Sequence, residues 1–88
     1  MDLTVETKQY VFSASSGFDY IVIYFSNQLK LFPNFGSKFE LTKKEVKTLI
    51  EYLKENWYED GRASWIIDSL VNMEMLMVGK EKAQLRFW

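Results

Sequence analysis

Residues 18–25 read FDYIVIYF, and the way they are read decides the fold. Taken with a period of two, Ile21, Ile23 and Phe25 share one face, and Tyr20, Val22 and Tyr24 share the other. Both faces are apolar and rich in β-branched and aromatic residues, the composition of a strand covered on both sides. The stretch is accordingly expected to be a central strand of a sheet. Its apolar run, YIVIYF, is far too short for a membrane span or a signal core.

Upstream, residues 3–12 alternate loosely, with Leu3, Val5 and Val11 on one face and Glu6, Lys8 and Tyr10 on the other. They read as a strand with one wet face. SASSG (13–17) supplies flexible turn residues between the two strands. It is not read as a phosphate-cradling loop, which needs a strand before it, a helix after it and a Gly-Lys-Ser/Thr ending, because a strand is expected to follow and no lysine is placed. Downstream, after Ser26, Asn27 and Gln28, residues 29–32 look like a hairpin partner. Pro33 donates no ladder hydrogen bond, so that strand stops there or lies at an edge.

The sharpest local signal comes next, in LTKKEVKTLIEYLKENW (41–57). Thr42 and Glu45 have the spacing of a capping box, and Leu41 and Val46 stand at the staple positions. At 100° per residue, Val46, Leu49, Ile50, Leu53 and Trp57 fall in an arc of about 100°. An amphipathic helix is expected, ending near Tyr58, with Gly61 just beyond it. Residues 62–72 fit a short helix better than a strand over residues 65–67. Then Met73, Met75 and Met77 alternate, Gly79-Lys80-Glu81 turns, and Ala83, Leu85 and Phe87 alternate. A hairpin with a three-residue loop would set Glu74 opposite Arg86 as a cross-strand ion pair. The methionine row is read as core in preference to an adaptable surface.

The expected fold is therefore α+β in a single domain over residues 1–88. It has a small, mainly antiparallel sheet, made of an N-terminal meander plus a C-terminal hairpin. One amphipathic helix and a second short helix or turn pack on it.

Composition then narrows the chemistry. The chain has no cysteine and no histidine, so thiolate nucleophiles, zinc–thiolate sites, imidazole bases and disulfides are excluded. Glu59 and Asp60 diverge around a helix end and do not face one another, and Ser64 has no histidine to activate it. Asp19, Glu59, Asp60, Asp68 and Glu74 lack the spacing of a calcium loop. The expectation is a protein that is not an enzyme and carries no metal or cofactor. A net charge of -1 gives no general attraction for nucleic acid. The absence of disulfide staples in so short a chain favours the cytoplasm, a host cytoplasm if the gene belongs to a phage.

The residues suited to gripping a partner gather in WYEDGRASW (57–65). Tyrosine, tryptophan and arginine combine large contact area with a polar handle and dominate binding energies. Tyr58, Asp60, Arg62 and Trp65 are the candidate contacts, with Phe35 and Trp88 in second place. Phe32, Phe35 and Phe39 either close one end of the core or form an apolar patch. In size and composition, with nine lysines to two arginines, the chain is similar to the small proteins by which phages and mobile elements block a host protein. Anti-CRISPR proteins are one such group. The likeness rests on no motif. The reading preferred is a protein-binding inhibitor or regulator acting by steric occlusion. The alternatives are nucleic-acid binding through Lys43, Lys44, Lys47 and Lys54, with Tyr52 beside them, and homodimerisation through an open sheet edge or the final hairpin.

Overall fold

A computed structural model describes residues 1–57 and 61–88. Its elements run β1 (Leu3–Glu6), β2 (Val11–Ala14), α1 (Asp19–Gln28), β3 (Lys38–Thr42), α2 (Lys43–Trp57), α3 (Gly61–Leu76) and β4 (Lys82–Phe87). The strands form one antiparallel sheet of order β2-β1-β4-β3. The α+β class expected from the sequence holds, but several elements differ from their expected form.

The first strand is two. Thr7 donates its amide to the Tyr10 carbonyl (2.8 Å), and the chain doubles back, so that Leu3 faces Ala14 and Val5 faces Phe12. Val11, expected beside Leu3 and Val5, is exposed. SASSG then leads from β2 into a helix rather than into another strand.

That helix is FDYIVIYF. Phe18, Ile21, Tyr24 and Phe25 are buried, while Asp19, Ile23 and Asn27, each four residues apart, are exposed. A strand would have put Asp19 and Asn27 on the same face as Ile21 and Phe25. Only the helical period separates the polar residues from the core. The helix propensity lost to β-branched residues is a few tenths of a kcal/mol each, up to about 0.7. Full burial of a side chain such as Ile21 or Phe25 is worth about 1.5–3 kcal/mol, so packing decides. Lys30 takes a left-handed conformation (φ 57°), and the Leu31 amide caps the Phe25 carbonyl at 2.9 Å, ending the helix. Residues 29–32 form no strand.

β3 lies where no strand was expected. Asn34 and Ser37 close a turn, with the Ser37 hydroxyl donating to Asn34 Oδ1 at 2.9 Å. Gly36 supplies a φ of 86° that a side chain would resist. The chain then enters β3 beside β4, with Phe39 opposite Leu85 and Leu41 opposite Ala83.

α2 is as the sequence indicates. The Thr42 amide donates to Glu45 Oε1 (2.9 Å), and the Glu45 amide donates to Thr42 Oγ1 (3.2 Å). Leu41, Val46, Leu49, Ile50 and Leu53 are buried. The expected burial of Trp57 lies outside the described residues.

α3 is longer than the expected segment 62–72, because it takes in Met73 and Met75 and ends just before Met77. Ile66, Leu70, Met73 and Met77 are buried at spacings of four, three and four, while Met75 is 70% exposed. The alternating reading of 73, 75 and 77 therefore fails, and so does the Glu74–Arg86 pair. Glu74 sits instead against α2, its Oε1 3.5 Å from Lys47 Nζ. β4 keeps its expected alternation, Ala83, Leu85 and Phe87 buried, but as an inner strand between β1 and β3.

The buried side chains come from the helices and from one face of the sheet. Phe87 is the hub of the aromatic part. Phe25 meets it edge-on at 6.0 Å, and Phe39 and Phe18 approach at 5.9 and 6.2 Å. Phe25 also stacks on Phe39 at 4.8 Å.

Candidate binding surface

The helices leave the other face of the sheet open. On β4 the exposed residues are Lys82, Gln84 and Arg86, and Trp88 continues the same alternation. The strand registers align them with their neighbours in rows. One row runs Ser13, Thr4, Arg86, Lys38, and the next runs Val11, Glu6, Gln84, Glu40. Beyond it Lys82 faces Thr42. Along the strands the face is thus banded basic, acidic, basic.

Trp88 is held across this face. Its backbone pairs with Asp2 in both directions, and its indole N–H donates to Thr4 Oγ1 at 2.8 Å. Thr4 Oγ1 also lies 3.0 Å from the Ser13 hydroxyl. The ring remains 50% exposed. It borders a groove of about 550 Å³ whose lining includes Thr4, Glu6, Lys38, Glu40 and Arg86. Beside the groove Lys82 approaches Glu40 at 3.8 Å, a loose surface pair of little energetic weight.

The candidate residues from the sequence do not form one site. Tyr58 and Asp60 lie outside the described residues, and so does the side chain of Arg62. Trp65 is half exposed on α3 and meets Phe12 of edge strand β2 edge-on at 6.4 Å. Phe35 is 75% exposed next to Gly36, whose amide donates to the Phe87 carbonyl at 2.7 Å, so it stands at the Trp88 end of the sheet. Phe32 is exposed as well, whereas Phe39 joins the core. Trp65 and Phe35 are therefore at opposite edges, with the width of the sheet between them.

The helix lysines are partly occupied. Lys43 donates to the Met77 carbonyl (3.0 Å), and Lys47 pairs with Glu74. Tyr52 is half-buried against Tyr24 at 5.0 Å. Lys44 and Lys54 also lie on α2, and among the described residues neither has an acid at ion-pair distance. The residues that sequence reasoning misses are Arg86, Lys38 and Thr4. The signal for them is the alternation of residues 82–88, which the expected hairpin turns towards Glu74 instead.

Among the described residues, no group of three acids is placed to hold a metal ion, and no helix is long and apolar enough to cross a membrane. No protein-family model matches the chain, and the searches of curated proteins and of solved structures gave no match either.

Proposed function

We propose that the protein acts by contact, as a small inhibitor or regulator that binds another protein through the open sheet face and occludes its partner's surface. The observation carrying this reading is Trp88, a half-exposed indole already fixed in place by its bond to Thr4. A fixed aromatic loses little entropy on binding, and Arg86 beside it is of the other residue type most frequent at binding hot spots. The absence of imidazole and thiol groups supports contact rather than catalysis. The cytoplasm suits an 88-residue domain that folds without disulfides.

The test is capture from lysate by immobilised wild type and by an Arg86→Ala/Trp88→Ala double variant of matched melting temperature. The partner retained by the wild type is expected to bind the double variant at least about tenfold more weakly. Equal retention by a folded double variant overturns the reading.

A second reading, self-association, is favoured by edge strand β2. No charged residue lies between Val11 and Gly17, and Val11 is exposed. Such an edge is a template for a further strand, whereas β3 is guarded by Lys38 and Glu40. Sedimentation at two concentrations tests it. A dimer abolished by Val11→Lys supports it, and a monomer at both concentrations discards it.

A further inference from the structure

Lys38 and Arg86 stand directly opposite one another on β3 and β4. Like charges in that relation repel, so the arrangement is unfavourable unless something negative lies between them. Among the described residues neither cation has a carboxylate at ion-pair distance, while Lys82 and Lys47 each have one. Both cations line the groove beside the fixed indole of Trp88.

We propose that this pair receives a carboxylate: the groove takes an extended segment of the partner protein, with one Asp or Glu side chain seated between Lys38 and Arg86 against Trp88. The inference rests on the open face being the partner surface. The same groove also selects the neighbour of that acid. Glu6 and Glu40 stand two residues further along the strands, about 7 Å away. They repel a second acid and favour a base. The fitting segment is therefore extended, with an acid and a base at alternate positions. A nucleic-acid backbone would bring its next phosphates over Glu6 and Glu40, so the banding selects against it.

The test is a titration of isotopically labelled protein, read at the Trp88 indole N–H and the Arg86 Nε–H. The probes are end-blocked peptides: Thr-Glu-Thr-Lys-Thr, a Glu/Glu version, and a Gln/Lys version. Inorganic phosphate and oligothymidylate are further arms. The Glu/Lys peptide is expected to shift both signals, the Glu/Glu peptide less, and the Gln/Lys peptide hardly at all. The Lys38→Gln/Arg86→Gln variant is expected to keep its fold, relieved of the repulsion, and to lose the response at the Trp88 indole N–H. An equal response to the Gln/Lys peptide, a stronger one to phosphate or oligothymidylate, or none to any peptide overturns the inference. If the peptides fail while Arg86→Ala/Trp88→Ala still abolishes capture, the face remains the partner surface and only its acid preference falls.

Discussion

Glu74 is a carboxylate only 9% exposed, and its Oε1 lies 3.5 Å from Lys47 Nζ with no hydrogen-bond partner among the described residues. A lone buried charge is costly, and an ion pair offsets that cost incompletely when geometry is poor. Removing one side should therefore differ from replacing the other. Lys47→Met leaves the acid alone and is expected to lower stability by about 1 kcal/mol, the lysine being largely solvated. Glu74→Met, which fills the same space with apolar atoms, should be neutral or stabilising. Chemical denaturation of the two variants checks both expectations. Tyr24 gives a second residue-scale expectation. Burial pushes its phenol above the ordinary 10.0, and the Glu45 carboxylate adds to the rise. The neutral phenol's contribution is complete below the unfolded value and is lost as pH climbs through the folded one. Between about pH 9 and about pH 11 the wild type should lose more melting temperature than Tyr24→Phe.

At the scale of elements, α1 can be distinguished from the strand its sequence suggests. In a strand Ile21 and Ile23 would be equivalent. In the helix Ile21 is buried and Ile23 is 40% exposed. Ile21→Ala is expected to cost about 2–5 kcal/mol, and Ile23→Ala less than about 1 kcal/mol. Equal losses in urea unfolding would restore the strand. Thr42→Ala, which removes half of the capping box, should cost about 1 kcal/mol. That box was legible because it depends on four consecutive residues and nothing else. The alternation of β4 was legible too, since one face is dry and the other wet. FDYIVIYF was not, because apolar residues satisfy both periods and the choice falls to Asp19 and Asn27 at its margins. The methionines misled by coincidence of parity. Methionine is a good helix former and the NMEML run has no β-branched residue, which is the local cue for a helix. For the candidate surface, Trp88 and Phe35 are exposed aromatics that residue type alone brings forward. Their neighbours could not, because Lys38 and Thr4 reach Arg86 only through strand pairings between distant parts of the chain.

For the molecule as a whole, the three described helices cover one side of a single sheet, so the other side carries mainly charged and polar side chains, with one indole and Val11. That asymmetry explains why an apolar-rich sequence presents a banded polar face, and it makes the two faces mutationally distinct. Leu85→Ala on the helix side should cost about 2–5 kcal/mol. Gln84→Ala on the open side should lie within about 0.5 kcal/mol of the wild type. Thermal melts of the pair provide the check.

The mutual backbone bonds of Asp2 and Trp88 join the first and last inner strands. Residues 82–87, synthesised after β1 and β3, thus occupy a middle position that both must await, and the β1–β4 pairing joins residues about 80 positions apart. A circular permutant opened at Gly79–Lys80, with residue 88 linked to residue 1 by a short connection, would turn that long-range pairing into a local hairpin. Such a permutant should reach the same fold with a higher refolding rate, since lowering contact order speeds closure.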